Sequence, residues 1–318
     1  MRAVRYERFG PPEVLEVADV DDPVPRAGEV KVRVRAAALN PLDWKIRDGH
    51  VRLLPMFARP PRVTGTDFAG DVVGIGGGPG SRHVGERVLG SLSPFGRDGA
   101  CAEFAVIAAR HAVPIPEGID YDSAATLPIA GGTALQALTD DGKLASGQRV
   151  LVTGAAGGVG HFAVQIARQR GAYVVGTCST ANVDFVTTLG AHEVVDYTKQ
   201  DVLARDDRFD IVFDVAESLG YSRARGLLAS GGIYIGTGGS AATVAATSLA
   251  RLTAPLSGLR AHVFVLRRDP ARWKALASLV AAGDVVPHIA QRVGFDGVAA
   301  AQRRMEQGHG RGKIVVIP

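Results

Sequence analysis

One glycine-rich segment of this chain has the residue types and spacing to bind a phosphate group. It lies between an apolar segment at residues 150–153 and a helical pattern that ends near Gly171, and it reads Gly154-Ala155-Ala156-Gly157-Gly158-Val159-Gly160. The first turn of a helix presents N–H groups without intrahelical partners, and glycines let an anion approach them. The spacing fits the dinucleotide fingerprint G-x-G-x-x-G with Ala155 in the first glycine place. The segment therefore indicates a site for a dinucleotide pyrophosphate, the alternative being a tight strand-to-helix connection.

The end of the next predicted strand bears on which dinucleotide would bind. This strand, residues 172–177, is followed by Cys178-Ser179-Thr180-Ala181-Asn182, with no carboxylate before Asp184. An Asp or Glu at this place would bind the ribose 2′-OH of NAD and repel the extra phosphate of NADP. Its absence favours NADPH, with NADH as the alternative cofactor.

Three polar residues near the N-terminus and one farther along are candidates for chemistry. Asp43 and Lys45 share a face if their segment is extended, so Lys45 could donate to a substrate oxygen; the competing interpretation is an exposed ion pair between them. From the residues alone, Asn40 is also explained as a turn residue before a proline, and Thr133 as a hydroxyl within a helix.

A metal centre is not indicated. The chain has two cysteines, Cys101 and Cys178, and eight histidines of which no two are spaced as a ligand pair. Without a Lewis acid to stabilise an alkoxide, donation of hydride to an electron-poor acceptor is the more plausible chemistry. Such an acceptor delocalises the resulting negative charge, and the reaction needs placement, exclusion of water and donors toward that charge.

The elements that would position these residues fall into two regions with different hydrophobic patterns. After the glycine turn, strands and helices alternate, which predicts a parallel, doubly wound sheet of α/β class. The first 120 residues instead show short alternating segments between Gly and Pro clusters, as at residues 29–35 and 68–74, and this pattern predicts a β-rich domain. The elements of the first kind are predicted as strands at residues 172–177, 193–195, 209–214 and 232–236 and helices at residues 181–189 and 219–229.

Composition limits the number of domains and the kinds of partner that the sequence allows. The 318 residues are 46% hydrophobic, enough for two packed cores, and the formal net charge of +4 is too small and too dispersed to indicate DNA binding. The start Met1-Arg2-Ala3-Val4 is unlike a signal peptide, so the cytoplasm is the expected compartment. Residues 226–250 carry no charge, but their many Gly, Ser and Thr residues favour sheet and loop over a membrane span.

Short motifs along the whole chain agree in order and spacing with one known family. They are 38–45 (ALNPLDWK), 65–70 (GTDFAG), 84–88 (VGERV), 101–104 (CAEF), 124–128 (AATLP), 132–134 (GTA), the glycine turn, 189–191 (LGA) and 310–315 (GRGKIV). With these motifs the chain resembles the medium-chain dehydrogenase/reductase superfamily, specifically its zinc-free quinone oxidoreductase and enone reductase branch.

The resemblance implies a GroES-like, β-rich catalytic domain at residues 1–122 and 263–318 and a Rossmann nucleotide-binding domain at residues 123–262, commonly paired as a homodimer. It places Asn40 where zinc-dependent relatives have a ligand Cys and Thr66 where they have a ligand His, so no metal is expected. It also implies that Asn40 and Thr133 lie near the nicotinamide, and that Ser179, Asn182 and Tyr197 surround the 2′-phosphate. A basic residue often found at position 181 is replaced by alanine, so Lys199 or Lys313 is expected to supply a more distant positive charge.

These expectations define the candidate site. Related enoyl reductases have a tyrosine that donates a proton in the loop where this chain has His50. Solvent is therefore expected as the proton source. The pocket rim is expected from loops at residues 47–61 and 249–264, where apolar residues such as Leu53, Leu54, Met56 and Phe57 favour a small hydrophobic quinone or enone. The expected catalytic residues are Asn40, Lys45 and Thr133. The expected cofactor-binding residues are Asn40, Thr133, Gly154, Ala156, Gly157, Gly158, Val159, Gly160, Ser179, Asn182, Tyr197, Phe264 and Lys313.

The functional hypothesis is an NADPH-dependent reductase of quinones or enones, without zinc. Two alternatives remain open at this point, because a fold does not determine a function. One is a medium-chain alcohol or carbonyl reductase of another small substrate. The other is a nucleotide-binding structural or RNA-binding protein without important turnover.

Overall fold

The computed structural model describes residues 1–50, 59–78, 82–237, 248, 258–308 and 310–318. The chain divides into two compact units. The first unit contains Met1–Ala130, Arg268–Ala282 and Pro287–Pro318, and the second contains Gly131–Arg267 and Gly283–Val286. The domain boundaries expected from the sequence, after residues 122 and 262, lie before the observed ones, which follow Ala130 and Arg267.

The first unit is built on β-sheets. Its strands are β1 (Arg2–Tyr6), β2 (Glu16–Asp19), β3 (Glu29–Ala38), β4 (Arg62–Val63), β5 (Asp67–Ile75), β6 (Arg87–Ser91), β7 (Phe104–Ala108), β8 (Val113–Pro114), β15 (Ile289–Val293) and β16 (Lys313–Val316). A seven-stranded sheet has the order β15-β16-β3-β5-β6-β8 with β7 also paired to β3, and a smaller sheet has the order β2-β1-β4.

Strand β3 shows why these residues form a sheet with one buried face. Val30, Val32 and Val34 alternate with charged residues, and the three valines lie in the core while the charged residues face outward. The C-terminal strand β16 pairs antiparallel with the end of β3, Val315 opposite Ala38. The tail of the chain therefore completes the sheet that its first hundred residues begin.

Four helices accompany these sheets in the first unit. They are α1 (Pro41–Arg47), α2 (Tyr121–Ala125), α7 (Pro270–Ala281) and α8 (Val298–Glu306). Helix α1 follows β3 directly because Asn40 has the extended backbone of an N-cap and Pro41 occupies the first helical position, where proline loses no hydrogen bond. The carboxylate of Asp43 accepts from the Asn40 backbone N–H at 2.7 Å and fixes this helix start.

The second unit contains one six-stranded sheet whose strand pairs are all parallel, in the order β11-β10-β9-β12-β13-β14. This order reverses direction at β9, as in a dinucleotide-binding doubly wound sheet. The predicted α/β class with a parallel sheet is confirmed. The strands are β9 (Arg149–Thr153), β10 (Tyr173–Cys178), β11 (Glu193–Asp196), β12 (Phe209–Asp214), β13 (Leu228–Gly236) and β14 (Arg260–Val263).

The helices of the second unit are α3 (Gly132–Leu135), α4 (Gly160–Gln169), α5 (Val183–Thr188) and α6 (Gly220–Ala224). The prediction of a helix through residue 229 was wrong at its end, because Leu228 already pairs with Phe209 in the sheet. Pairing on a sheet surface outweighs local helix propensity there. Within the uncharged segment 226–250, β13 confirms the sheet prediction, while residues 238–247, 249 and 250 lie outside the described part of the chain.

Among the residues that the structure describes, no helix combines the length and the apolar character that crossing a bilayer requires.

Candidate functional site

The glycine turn lies between β9 and α4, as the sequence predicts. Gly154 has a left-handed backbone with φ of +59°, and the backbone N–H of Gly157 donates to the Gly154 carbonyl at 2.9 Å. The turn is anchored to the neighbouring strand because the Ala155 N–H donates to the Thr177 carbonyl at 2.9 Å. The first turn of α4 is thereby placed directly at the carboxyl edge of the sheet, where its N–H groups can meet an anion.

Close packing explains the last glycine of the fingerprint. A Cβ on Gly160 would lie 2.1 Å from the Gly154 carbonyl oxygen and 2.8 Å from the Cα of Ala155, so only glycine fits. A Cβ on Gly157 would meet only the Gly154 oxygen, at 3.3 Å. The turn has one glycine needed for helix packing and one that keeps its outer surface open.

The carboxyl end of β10 carries the residues expected around a 2′-phosphate. The Asn182 side chain donates to the Ser179 hydroxyl at 3.3 Å, and the Tyr197 N–H donates to the Cys178 carbonyl at 3.1 Å. Strands β10 and β9 are parallel neighbours, so their carboxyl ends share one edge of the sheet. The structure therefore brings Ser179, Asn182 and Tyr197 together at the edge that also carries the glycine turn.

A carboxylate that the sequence analysis did not consider lies at the same edge. Asp196, the last residue of β11, accepts from the Thr180 hydroxyl at 2.6 Å and from the Thr198 hydroxyl at 2.7 Å. The Thr180 bond, followed by those of Thr198 and Lys199, lowers the pKa of Asp196 to about 2. The Lys199 ammonium lies 3.4 Å from this carboxylate. Asp196 is thus an anion already supplied with donors, with a lysine beside it.

In the first unit, Asn40 is the centre of a buried polar network. Its side-chain nitrogen donates to Asp67 Oδ2 at 3.0 Å, and its side-chain oxygen accepts from Lys313 Nζ at 2.6 Å. Lys313 Nζ also donates to the Leu39 carbonyl at 2.6 Å. The side chains of Asn40, Asp67 and Lys313 are all nearly inaccessible to solvent. Residues from the start of α1, from β5 and from β16 are therefore joined by charge-assisted bonds in one place.

Burial dominates the electrostatics of this network. It raises the pKa of Asp67 to about 6, an effect opposed by the nearby Lys313 ammonium. It likewise raises the pKa of Asp43 to about 7, opposed by the bond from the Asn40 N–H, and lowers the pKa of Lys313 to about 8, opposed by Asp67 and Asp43. One ammonium thus lies among two carboxyl groups that are harder to ionise than in water.

Two expectations from the sequence are corrected by this arrangement. Lys313 was expected as a distant positive charge for a phosphate, but it is buried in the first unit with Leu39 and Asn40 as its acceptors. Asp43 and Lys45 were expected on one face of an extended segment, but both belong to α1, where residues two apart point in different directions. Asp43 is buried, whereas Lys45 is half-buried with its ammonium 5.8 Å from the Trp44 ring.

The other expected residues are placed as follows. Thr133 is buried within α3, and Phe264 is buried with its N–H donating to the Gly236 carbonyl at 3.1 Å. His50 is exposed and lies 3.1 Å from Asp48. The apolar rim residues Leu53, Leu54, Met56 and Phe57 lie outside the described residues. In the part of the chain that is described, no group of three His, Cys, Asp or Glu side chains is arranged to hold a metal ion.

The raised pKa of Asp43 predicts a specific pH dependence of stability. Between about pH 4 and pH 7 the folded protein retains a proton that the unfolded chain has released, so this group lowers the free energy of unfolding as pH rises, by up to about 1.4 kcal/mol per pH unit. The free energy of unfolding, measured with urea across this pH range, should decline less for Asp43→Asn than for the unaltered protein. The exposed Asp98→Asn variant is the control and should retain the original decline. An equal decline in all three proteins would contradict the assignment.

Comparisons with known proteins extend over the whole chain. Residues 26–117 match the family model of the alcohol dehydrogenase GroES-like domain, and residues 189–316 match that of zinc-binding dehydrogenases. The chloroplast envelope quinone oxidoreductase homolog of Arabidopsis thaliana is 33% identical, covering 100% of this chain and 98% of the relative. The 2-methylene-furan-3-one reductase of Solanum lycopersicum is 30% identical, covering 100% and 79%.

A solved structure shares the fold. The quinone oxidoreductase of Escherichia coli complexed with NADPH has a TM-score of 0.85, at 24% identity and with 100% of both chains covered. The identity and coverage of the sequence relatives, together with the two matching domain models, confirm the resemblance drawn from the motifs. The chain is an oxidoreductase that belongs to the quinone oxidoreductase branch of the medium-chain dehydrogenase/reductase superfamily.

Proposed function

We propose that this enzyme transfers a hydride from NADPH to a small hydrophobic quinone or α,β-unsaturated carbonyl, without a metal ion. The observation that carries the proposal is the Asn40 network. At the position where zinc-dependent relatives are expected to have a thiolate ligand, this chain has an amide whose oxygen accepts from the Lys313 ammonium and whose nitrogen donates to Asp67. Such a group can orient a substrate or cofactor, but it is not a thiolate that could hold zinc.

The residues at the glycine turn fit the pyrophosphate of the proposed cofactor. The space beside Gly157 would be filled by any larger side chain, and the first turn of α4 supplies N–H donors and the positive end of its dipole. Gly154, Ala156, Gly158, Val159 and Gly160 complete the turn that would hold the phosphates. The cofactor, once bound, supplies the hydride.

The remaining proposed roles belong to side chains outside the turn. Asn40 and Thr133 are proposed to orient the nicotinamide end, and Phe264 to cover it. Lys45, half-buried on α1, is proposed to donate toward the substrate oxygen on which negative charge develops. The proton that completes the reduction is proposed to come from solvent. Placement, exclusion of water and a donor toward the developing charge are what an acceptor of this kind requires.

The experiment that tests this function is a comparison of acceptors. Oxidation of NADPH is followed by absorbance with a benzoquinone, an enone, an enal and a saturated aldehyde, each in the presence of a chelator. Turnover is expected with the quinone and with the conjugated carbonyls, since both accept hydride at carbon and place the charge on oxygen. Turnover with the saturated aldehyde alone would show that the function is a different carbonyl reduction. NADPH binding without turnover on any acceptor would favour a non-enzymatic role.

Preference for NADPH is proposed to depend on Lys199, the lysine beside Asp196. Lys199→Ala should raise the KM for NADPH about tenfold, the effect of losing one charge-assisted bond to the 2′-phosphate, and should leave the KM for NADH unchanged. Arg170→Ala, which removes an exposed cation after the end of α4, is the matched control. Equal changes with both cofactors would rule out a contact specific to the 2′-phosphate.

Assembly and location remain predictions from the sequence. A homodimer is proposed from the family resemblance, and light scattering of the purified protein would measure it. The cytoplasmic location is proposed as well; the Arabidopsis relative is named for the chloroplast envelope.

A further inference from the structure

We propose that Lys313 and Asp67 are positioning residues that hold the Asn40 side-chain amide in one orientation, so that Asn40 acts toward the cofactor only as a hydrogen-bond acceptor. The proposal rests on the proposed function, because it specifies how one residue of that site meets NADPH. It assigns a task to two buried charged residues that the hydride transfer itself does not require.

The hydrogen-bonding capacity of the amide is almost fully used. An amide nitrogen has two N–H donors and an amide oxygen has two acceptor sites. Asn40 Nδ2 donates to the Ala38 carbonyl at 3.2 Å and to Asp67 Oδ2 at 3.0 Å, which uses both donors. Asn40 Oδ1 accepts from Lys313 Nζ at 2.6 Å, which uses one acceptor site. Among the hydrogen bonds of the residues that the structure describes, the capacity of this side chain that is left over is one acceptor site on Oδ1.

The charges on either side decide this orientation. Rotating the amide by half a turn would place its N–H groups against the Lys313 ammonium and its oxygen against the Asp67 carboxylate. Both contacts would then be repulsive, and they lie in a buried environment where polar mismatches are costly. An ammonium on one side and a carboxylate on the other therefore specify which atom of Asn40 is which.

The two charged residues are themselves held by separate parts of the first unit. The Ile129 N–H donates to Asp67 Oδ2 at 3.0 Å, and the Lys313 backbone N–H donates to the His288 carbonyl at 2.8 Å. Gly312 has a φ of +60°, and a Cβ there would lie 2.3 Å from the His288 carbonyl oxygen. Asp67 and Lys313 are thus each held by a backbone contact of their own, and Lys313 Nζ is directed inward to the Leu39 carbonyl and to Asn40.

The kinetic test uses Lys313→Met, with Lys274→Met as the control at an exposed lysine of the same unit. Without the ammonium, Asn40 loses the bias that fixes its oxygen, so kcat for NADPH oxidation should fall about tenfold while the dissociation constant for NADPH changes by less than about threefold. The kinetic isotope effect with 4-deuterated NADPH should increase. A purely structural lysine would leave kcat and the isotope effect unchanged in a folded variant, and that result would overturn the proposal.

A second variant keeps the test decisive if Lys313→Met does not fold. The pair Asp67→Asn with Lys313→Met removes one charge of each sign, and it should fold and show the same loss of kcat. Asp67→Asn alone removes one of the two charges that orient Asn40, so its kcat should also fall, but by less than in Lys313→Met, because an acceptor opposite Asn40 and the ammonium are both retained. A loss of kcat in Asp67→Asn as large as that of the double variant would contradict the assignment of the amide orientation to Lys313.

A direct spectroscopic test is available because Asn40 and Asn182 are the only two asparagines of the chain. Selective ¹⁵N-asparagine labelling gives two side-chain amide signals, and the Asn40→Ser variant identifies one of them. Both Asn40 Nδ2 protons should exchange slowly with solvent, and they should remain protected after NADPH is added, since neither is donated to the cofactor. Rapid exchange of either proton without cofactor would overturn the proposal. This measurement requires no turnover, so it distinguishes failure of the amide assignment from failure of the proposed function.

Discussion

Gly160→Ala is expected to weaken NADPH binding on the order of a hundredfold, because it displaces the helix that would hold the pyrophosphate. The added methyl group would lie 2.1 Å from the Gly154 carbonyl oxygen and 2.8 Å from the Ala155 Cα. These are backbone atoms of the turn itself, so α4 must move away from β9 as a unit. The N–H groups of its first turn would then no longer converge with the turn on one anion. Fluorescence titration with NADPH measures the loss.

Substitutions at two further glycines separate an effect on the fold from an effect on NADPH binding. Gly157→Ala meets only the Gly154 oxygen, at 3.3 Å, so the fold should be retained while the approach of a phosphate is obstructed. Gly226→Ala has open space at its Cβ and should change neither the thermal midpoint nor NADPH binding. The account of the turn would be contradicted if Gly160→Ala bound NADPH as tightly as Gly226→Ala.

Asp214→Ala is expected to destabilise the second unit by about 3–5 kcal/mol, because it leaves several buried donors without an acceptor. The Asp214 carboxylate accepts from the Thr153 hydroxyl at 2.7 Å and from the Tyr234 hydroxyl at 2.9 Å. It also accepts from three backbone N–H groups of the loop after β12, those of Ser218, Leu219 and Gly220, at 3.0, 3.1 and 2.9 Å. One fully buried side chain thus ties the end of β9, just before the glycine turn, to the next loop of the same edge.

The matched control is the other aspartate of β12. Asp210 accepts from the Arg149 N–H at 2.8 Å and is only partly buried, so Asp210→Ala should cost about 1 kcal/mol. Urea unfolding of the two variants, followed by circular dichroism, gives both values. Similar costs for Asp210→Ala and Asp214→Ala would show that the network around Asp214 does not stabilise this edge of the sheet.

Local sequence signals predicted the second unit well. The glycine turn, the apolar strands at β9, β10 and β12, and the glycines that end helices are encoded within a few residues of where they act. Gly171 and Gly190, with φ of +78° and +96°, follow the last turns of α4 and α5, where glycine ends a helix readily. The parallel, doubly wound class followed from the alternation of strands and helices along the sequence.

The Asn40 network could not be predicted in the same way. Asp67 and Lys313 are separated by more than two hundred residues, and the bonds that join them to Asn40 exist only when β5 and β16 lie in one sheet. No periodicity or spacing encodes such a contact. A lysine near the end of the chain is most often solvated, so the burial of Lys313 has no local signal in the sequence.

The helical form of residues 41–47, by contrast, had a readable signal. Asn at the N-cap, Pro41 at the first helical position and Asp43 at the third are residues that favour a helix start. The extended interpretation of Asp43 and Lys45 overlooked it. With the helix in place, Asp43 is directed inward to the Asn40 N–H, and the ion pair with Lys45 is not the role that the structure gives it.

Deuterium transfer tests the central claim most directly. The enzyme, freed of metal ions by a chelator, is incubated with NADPH deuterated at C4 on one face or the other and with an enone, and the product is examined by mass spectrometry and NMR. We predict that one deuterium from a single face of the nicotinamide is found on the β-carbon of the product, at a rate that the chelator does not change. A product without deuterium from either cofactor, or activity that disappears with the chelator and returns with zinc, would contradict the account.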